Sequence, residues 1–220
     1  MELKQSDLLE CPLCSTPFSV NVNNTIITAG RKFYHCNNCD LIFTDKDFIP
    51  SPEKEKKRYD QHQNSVDDKA YLQFLNQALI PALDFINSSH IGLDYGCGKN
   101  AVLSQLLAKH NIKCNNYDIF YFPVLENNMY DFVFCTETAE HFSTPKKDFE
   151  KIVSQLKNGG FLILMTEFWN NKLEFSNWYY VRDFTHLSFY HLNTIKYIAQ
   201  KFNLSIVFND AKRVVIFIKN

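Results

Sequence analysis

The feature that most constrains the fold is a glycine-rich turn between a strand-like segment and a helix-like segment. Residues 90–95 form a short apolar run, and Gly96-Cys-Gly98 then allows a tight turn and a close backbone approach to a ligand. Apolar residues recur at three- and four-residue steps over 102–107, which predicts an amphipathic helix. This order of strand, turn and helix indicates an α/β protein with a parallel sheet.

Strands and helices alternate along the rest of the chain. The predicted strands cover residues 113–117, 130–136, 161–168, 204–208 and 213–219, and the predicted helices cover residues 146–157 and 192–202. Gly159-Gly160 is expected to stop the first of these helices. The last two strands are close enough in sequence to pair as an antiparallel hairpin. The sequence therefore predicts a doubly wound, Rossmann-like sheet that ends in an antiparallel C-terminal hairpin.

The chain divides into three segments of different character. Residues 1–50 contain two cysteine pairs and short β-like runs, which offer too little apolar surface for a core of their own. Residues 51–89 turn helical, and residues 90–220 hold the alternating strands and helices. We expect a small N-terminal module, a helical linker and a larger α/β domain with these boundaries.

Charge, hydropathy and cysteine usage exclude several classes of protein. The formal net charge is -1, so nucleic acid would have to bind a local basic patch rather than a broad positive field. No apolar stretch is long enough to span a membrane, and the first residues lack the apolar core of a secretory signal. We therefore expect a cytoplasmic protein with no membrane partner, whose seven cysteines suit metal binding better than disulfides.

Four of the cysteines have the spacing of a zinc ribbon. Cys11 and Cys14 form one Cys-x2-Cys pair, Cys36 and Cys39 form the other, and 21 residues separate the two pairs. Four thiolates in this pattern can close a tetrahedral shell around one zinc ion, which makes the site structural rather than catalytic. The alternatives are four free thiols or two redox pairs. We expect His35 to be a neighbour of this zinc site and not a ligand.

Two carboxylates accompany the glycine turn. Asp94 precedes the turn by two residues, and Asp118 lies 20 residues beyond Gly98 at the end of the next predicted strand. A carboxylate at that position can accept hydrogen bonds from both hydroxyls of a ribose. A Gly-x-Gly turn alone is weak evidence, but its combination with these acids indicates a cofactor that contains a nucleoside.

These features resemble the class I S-adenosylmethionine-dependent methyltransferases over residues 59–220. Residues 137–141 (Glu-Thr-Ala-Glu-His) are similar to a Glu-x2-Glu-His segment of many members, and residues 156–160 (Leu-Lys-Asn-Gly-Gly) are similar to a turn in that family. The resemblance implies a methyltransferase domain over 90–220, with residues 51–89 covering the cofactor. Most relatives place another helix and strand after the second strand. This chain has only about a dozen residues there, which favours a trimmed sheet.

The resemblance and the glycine turn together assign a set of residues to S-adenosylmethionine. They are Tyr59, His62, Asn64, Asp94, Gly96, Gly98, Asp118, Thr136 and Glu137. For His62 and Asn64, capping of a surface helix explains the residues equally well. A nucleotide dehydrogenase is the rival on this fold, but its fingerprint needs a third glycine where this chain has Asn100.

Methyl transfer needs few catalytic residues, because the protein mainly aligns the acceptor and removes its proton. The candidates are Glu137 and His141 after the third strand, and His186 in a later aromatic segment. His141 is either a general base or substrate ligand, or a structural histidine that holds its loop. In the ubiquinone-pathway O-methyltransferases a similar Glu-x2-Glu-His segment is linked to a divalent metal, although acids are also favoured at helix starts.

The aromatic segment over residues 169–190 is long for a loop, and we expect it to close over the acceptor. Arg182 and His186 would face the reacting centre, and Asp183 would orient one of them. Phe189 and Tyr190 would anchor the loop to the following helix. The aromatic residues that could wall an acceptor pocket are Phe168, Trp169, Trp178, Tyr179 and Tyr180.

The expected function is S-adenosylmethionine-dependent methyl transfer to a small-molecule or metabolite acceptor. The end of strand 130–136 lacks both Asn-Pro-Pro-aromatic and Pro-Cys, which argues against methylation of base amines or of pyrimidine C5. RNA methylation stays an alternative, since some rRNA guanine methyltransferases place a four-cysteine module before this fold. A basic face around Lys4, Arg31, Lys32 and residues 54–58 would favour RNA. A second alternative is a non-catalytic module that binds the cofactor or a partner.

Overall fold

The computed structural model of the chain describes residues 8–61 and 64–220. In chain order, its strands are β1 Leu8–Glu10, β2 Pro17–Ser19, β3 Thr25–Thr28, β4 Arg31–His35, β5 Ile42–Thr44, β6 Ile91–Tyr95, β7 Lys113–Tyr117, β8 Tyr130–Thr136, β9 Leu156–Met165, β10 Ser188–Phe189, β11 Leu204–Asn209 and β12 Val214–Lys219. The α-helices are α1 Pro52–Tyr59, α2 Lys69–Ala82, α3 Val102–Lys109, α4 Pro145–Ser154, α5 Lys172–Phe175 and α6 Leu192–Lys201. Short 3-10 helices cover Lys46–Phe48, Ala139–His141 and Tyr179–Arg182.

Six strands form the large sheet, in the order β11-β12-β9-β8-β6-β7. Strands β7, β6, β8 and β9 are parallel, and β12 and β11 add an antiparallel hairpin beside β9. The predicted doubly wound sheet with its C-terminal hairpin is confirmed. The structure also places β7 at the edge, and residues 119–129 contribute only an isolated bridge between Asp118 and Phe122. The sheet is therefore trimmed after its second strand, as the short interval predicted.

Helices cover both faces of this sheet. Alternate residues of β8 point to opposite faces, so Phe132 and Phe134 pack with α2 and α3, whereas Val133 and Cys135 pack with α4 and α6. Gly92 in β6 lies against the Phe132 ring, and a Cβ at this glycine would lie only 1.9 Å from that ring. The central strands are thus buried on both sides, which explains their nearly continuous apolar sequences.

A second, smaller sheet joins the first 50 residues to the segment after β9. It has the order β10-β5-β4-β3, so three strands come from the first 50 residues and the fourth comes from the segment after β9. Ser188 pairs with Phe43, and Phe189 pairs with Ile42. The predicted boundary at residue 50 divides the chain in sequence, while this sheet includes residues from both sides of that boundary.

Two local expectations differ from the structure. The helix predicted over residues 146–157 ends at Ser154, and β9 already begins at Leu156, which pairs with Tyr130. Gly159 and Gly160 therefore lie within β9 and do not stop a helix. The segment over residues 169–190, expected to be irregular, contains α5, a 3-10 helix and β10.

Among the described residues, no helix has the length and apolar character that a bilayer crossing requires.

Candidate functional site

A cavity of about 520 Å³ lies at the carboxyl ends of β6, β7 and β8. Nine of the residues predicted for the cofactor or for catalysis line it: Tyr59, Asn64, Gly96, Gly98, Asp118, Thr136, Glu137, His141 and His186. Asp94 is not part of the lining and lies buried at the end of β6. His62 falls outside the described residues. The structure thus brings most of the predicted set together, as expected where parallel strands end at one edge of a sheet.

The glycine turn is held by β7. Gly96 has a φ of +83°, and its backbone N–H donates to the carbonyl of Tyr117 over 2.8 Å. A Cβ at Gly96 would lie 2.2 Å from the hydroxyl of Thr138, so only glycine fits here. Gly98 N–H donates to Asp118 Oδ2 over 3.1 Å. The turn and the acid predicted for the ribose are therefore linked directly.

Asp118 is oriented by the backbone that follows it. Its Oδ1 accepts hydrogen bonds from the N–H groups of Phe120 and Tyr121, at 2.9 and 3.1 Å. Ile119, Phe120 and Tyr121 themselves line the cavity beside this carboxylate. Sequence reasoning left the residues of this segment unassigned, because the expected helix and strand are absent there and no periodic pattern indicates which side chains face inward.

Asp94 is a buried acid behind the glycine turn. Its side chain is 1% exposed, and its Oδ1 has no hydrogen-bond partner among the described residues. Burial, together with the nearby charge of Asp118, raises the pKa of Asp94 to about 7. A positive charge placed in the cavity would therefore favour the ionised form of this carboxyl.

Two further acids, the half-buried Glu137 and the buried Glu140, lie where β8 ends. Glu137 adopts a φ of +48°, accepts a hydrogen bond from the hydroxyl of Tyr180 at 3.4 Å, and leaves its Oε1 without a partner in the described chain. Burial and the neighbouring charge of Glu140 raise the pKa of Glu137 well above its usual value. Glu140 is 1% exposed. The positive φ of Glu137 is a strained backbone conformation of the kind found at functional sites.

The two candidate histidines lie side by side. Their ring centroids are 4.9 Å apart. His141 Nδ1 is 2.9 Å from the carbonyl oxygen of Thr185, and His186 Nδ1 is 2.8 Å from that of Tyr180. Since a carbonyl only accepts, each Nδ1 carries the hydrogen, and a neutral ring keeps its lone pair on Nε2. Burial lowers the pKa of His186 to about 4, so this ring is neutral at pH 7.

Glu140, His141 and His186 offer one ligand atom each within 4.8 Å of one another. One carboxylate and two imidazoles are donors that a divalent cation accepts. This set differs from the Glu-x2-Glu-His segment considered from the sequence, because His186 joins the group and Glu137 does not. The approach of His186 to Glu140 and His141 depends on the fold of the segment after β9 and could not be predicted from local spacing.

The four paired cysteines converge. Cys11 Sγ lies 3.6 Å from Cys39 Sγ, and Cys14 Sγ lies 3.5 Å from Cys36 Sγ. These separations are far longer than the roughly 2.05 Å of a disulfide. They are close to the edge of about 3.8 Å in a tetrahedron with Zn–S bonds of about 2.3 Å. His35 bonds to Asp40 over 2.9 Å and is not part of the cysteine cluster.

The segment over residues 169–190, which carries His186, is fastened to the N-terminal module. Buried Arg31 donates hydrogen bonds to four carbonyl oxygens of this segment, those of Val181, Asp183, Phe184 and His186. The predicted interaction of Asp183 with Arg182 or His186 is wrong. Asp183 Oδ2 instead accepts from Arg58 at 2.7 and 3.0 Å, and Oδ1 accepts from Thr185. Arg31 carries no sequence signal of this role, because its partners are about 150 residues away.

The predicted anchors are both fully buried, with different partners. Phe189 packs against Phe33 of the N-terminal module, at a centroid distance of 5.7 Å. Tyr190 donates its hydroxyl hydrogen to the carbonyl of Ala139 over 2.9 Å and packs against Phe149 of α4. The segment is therefore held at several points by other elements and not only by the helix that follows it.

A second cavity of about 530 Å³ adjoins the first. Phe74, Glu137 and His186 line both cavities. The remaining lining residues are Arg58, Tyr179, Tyr180, Arg182, Asp183, Phe184 and Arg213. Of the aromatic residues expected to wall an acceptor pocket, Tyr179 and Tyr180 lie here, whereas Phe168, Trp169 and Trp178 do not. Sequence reasoning missed Arg58 and Arg213, which are distant in sequence from the aromatic segment.

The basic residues that would have favoured RNA do not form a free face. Arg31 is 6% exposed and bonds to backbone carbonyls. Lys32 pairs with Asp45, Lys56 with Asp60, and Arg58 with Asp183. Lys4 lies outside the described residues. Lys54 and Lys57 are exposed and form no ion pair with the described residues, so four of the six described basic residues of this set are engaged within the protein.

The sequence of the chain matches the profile of the methyltransferase domain family over residues 50–208. The chain therefore belongs to this family of methyltransferase domains. The matched region holds the lining of both cavities, except for Ile49 and Arg213, and it lies outside the cysteine cluster. No curated protein matches the chain in sequence.

Solved structures support the same fold. An O-methyltransferase family protein from Burkholderia thailandensis has a TM-score of 0.52 and 11% identity, covering 76% of this chain and 63% of that one. A SAM dependent methyltransferase from Archaeoglobus fulgidus has a TM-score of 0.50 and 18% identity, covering 69% of this chain and 74% of that one. The chain thus spans 63% of the Burkholderia protein's length. At these identities the likeness concerns the fold alone.

Proposed function

We propose that this chain transfers a methyl group from S-adenosylmethionine to a small-molecule acceptor. The observation that carries the proposal is the orientation of Asp118, whose two oxygens are fixed by the turn amide of Gly98 and by two following amides beside an open cavity. A carboxylate so placed accepts hydrogen bonds from the two ribose hydroxyls of the cofactor.

The rest of the first cavity suits the other parts of the cofactor. Gly96 and Gly98 let the backbone approach it closely, and the loop over residues 119–121 would contact the adenine. Tyr59, Asn64, Thr136 and Glu137 would surround the methionine portion. Asp94 stands behind the turn, where the positive charge of bound S-adenosylmethionine would favour its ionised form.

The chemistry is an in-line displacement. The acceptor atom attacks the methyl carbon, the bond from carbon to sulfur breaks, and S-adenosylhomocysteine leaves with the electron pair on sulfur. His186 is neutral at pH 7, and its Nε2 lone pair is available to take the acceptor's proton. His141 has the same tautomer beside it and would bind the acceptor or share this role.

We also propose that Cys11, Cys14, Cys36 and Cys39 hold one structural zinc ion. Support comes from the separations of their sulfur atoms, which fit a tetrahedral thiolate shell. A shell of four protein ligands leaves no position for water or substrate. The zinc would therefore stabilise the N-terminal module and take no part in methyl transfer.

Calorimetry with S-adenosylmethionine and S-adenosylhomocysteine tests the cofactor assignment. Both should bind the isolated chain, and Asp118→Ala should weaken both by roughly 10²- to 10⁴-fold, because two charge-assisted hydrogen bonds of about 1.5–3 kcal/mol each are lost. Asp84→Ala is the matched control, since Asp84 is exposed and lines neither cavity. Tighter binding of NADH than of S-adenosylhomocysteine would overturn the assignment.

Turnover measurements with an identified acceptor test the role of His186. His186→Ala should lower kcat by about 10²- to 10⁴-fold with little change in cofactor affinity, because the imidazole removes a proton and does not hold the nucleotide. His141→Ala, measured in parallel, shows which ring is the base. A lower Tm with normal turnover per folded molecule would make His186 a structural residue.

A further inference from the structure

The arginines of this chain are concentrated around the second cavity. The chain has four arginines against nineteen lysines. Arg58, Arg182 and Arg213 line that cavity, and no lysine of the described residues is part of its lining. The fourth, Arg31, holds the backbone of residues 181–186, which forms one wall. A surface that merely carried positive charge would draw on lysine, the far commoner basic residue here.

The three lining arginines retain unused hydrogen-bond donors. Arg182 is exposed and makes no hydrogen bond or ion pair with the described residues. Arg213 is 8% exposed and pairs with Glu167, yet its buried Nε has no partner within residues 8–61 and 64–220. Arg58 uses Nε and Nη2 on a single oxygen of Asp183.

The acidic residues of the lining do not neutralise these three cations. Asp183 compensates Arg58, with which it forms an ion pair at 2.7 Å. Burial raises the pKa of Glu137 well above its usual value, which reduces its negative charge. Glu167, which lies outside the lining, compensates Arg213. Arg182 thus stays without an acidic partner among the described residues, and the lining itself carries a net positive charge.

The type of cation and the surrounding walls define the ligand chemistry. A guanidinium is planar and presents parallel N–H groups that match a carboxylate or a phosphate, whereas an ammonium acts as a point charge. The neighbouring walls are rings, those of Phe74, Tyr179, Tyr180 and Phe184. Rings favour a flat, apolar ligand body through stacking and edge contacts.

We propose that the second cavity binds the methyl acceptor and that this acceptor is a small anion, with a carboxylate or phosphate group on a flat apolar body. Its oxyanion would contact Arg182 and the Nε of Arg213. Its nucleophilic atom would reach the cofactor past Phe74, Glu137 and His186, the residues common to both cavities. This inference rests on the proposed methyl transfer, because it takes the first cavity as the cofactor site.

The test titrates small aromatic probes into the protein saturated with S-adenosylhomocysteine and follows binding by ligand-observed NMR. Benzoate and phenyl phosphate are the anions, benzamide is the neutral isostere, and benzylamine is the cation. We expect both anions, or the one that matches the natural group, to bind at least fivefold more tightly than benzamide. Arg182→Gln should remove this preference, while Lys196→Gln, which removes an exposed charge outside both cavities, should preserve it.

The outcomes separate the two proposals. Equal binding of benzoate, phenyl phosphate and benzamide, or an anion preference that survives Arg182→Gln, would overturn the anionic acceptor and leave methyl transfer intact. Absence of S-adenosylhomocysteine binding in calorimetry would overturn the cofactor assignment. The same probes titrated into the cofactor-free protein would then still decide whether Arg182 binds anions. A preference for phenyl phosphate over benzoate assigns a phosphate group, and the reverse assigns a carboxylate.

Discussion

The large sheet and the N-terminal module achieve a stable fold in different ways. The sheet buries whole strands between helices, and five of the seven residues of β8 are apolar side chains that are at most 1% exposed. The module has strands of three to five residues, and part of its core comes from elsewhere. Phe33, for example, packs against Phe175 and Phe189 of the segment after β9.

This difference indicates what the module contributes. The sheet supplies the turn and Asp118 from its own strands, so the cofactor cavity depends mainly on local sequence. The segment with Arg182 and His186 is completed by β5 and by Arg31. The module therefore supports the segment that lines the second cavity, the proposed acceptor site, although it supplies few of the residues that line either cavity.

The largest expected effect follows removal of the proposed zinc ion. Structural zinc contributes about 10–16 kcal/mol in small zinc modules, so chelation or Cys36→Ser should unfold the module and release residues 169–190. The sheet should persist, and with it the binding of S-adenosylhomocysteine. Hydrogen exchange measures both regions, with protection lost over residues 8–50 and 169–190 and retained over 130–136.

Metal analysis supplies the control for this experiment. Purified protein should hold one zinc per chain, and Cys114→Ser, a change outside the cluster, should leave that content unaltered. Less than half an equivalent of zinc, or an unchanged zinc content in Cys36→Ser, would refute the zinc site. The shared core would then be the source of the module's stability.

A smaller effect is expected from Asp94, a buried acid within the sheet itself. Its pKa of about 7 in the fold lies above the value of 3.8 for a free carboxyl, so ionisation destabilises the folded protein as pH rises between these values. At pH 4 or below, the native protein and Asp94→Asn should be equally stable. By pH 8 the variant should be more stable by up to about 4 kcal/mol, at about 1.4 kcal/mol per pKa unit. Urea unfolding at several pH values measures the difference, and a constant difference would refute the assignment.

The sequence predicted the sheet better than the connections between regions. The strands, the glycine turn, Asp118 and the four cysteines were all identified from local spacing, because each depends on neighbours in the chain. Arg31 and the ion pair from Arg58 to Asp183 were not identified. The residues of that ion pair are 125 positions apart, and no local period reports which distant element a polar side chain will meet.

Local sequence patterns do not report distant partners, and this also explains why the predicted contacts of residues 169–190 differ from the observed ones. Their composition correctly indicated a segment that lines the site, since His186 and Tyr180 lie beside Glu137. The pairing of β10 with β5 could not be predicted, because a two-residue strand carries no alternating pattern. A similar limit applies to Asp183, because local spacing indicates only its neighbours in sequence as partners, whereas its ion pair is with Arg58 of α1.

The smallest of these effects is expected from Arg31, and it tests the link between the two regions directly. Arg31→Ala removes hydrogen bonds to four carbonyls, but opening of the segment would let water replace them, so we expect a loss of about 2–3 kcal/mol. Arg31→Lys should recover little, because one ammonium cannot match the four carbonyls that the planar guanidinium reaches. Turnover should fall while S-adenosylhomocysteine affinity stays unchanged, and hydrogen exchange should quicken over residues 181–187. Lys32→Ala is the matched control, since Lys32 is the next residue in β4 and its ion pair with Asp45 is partly exposed to solvent, which weakens it. Equal losses of turnover in Arg31→Ala and Lys32→Ala would mean that the module stabilises the fold in general and does not position the segment with His186.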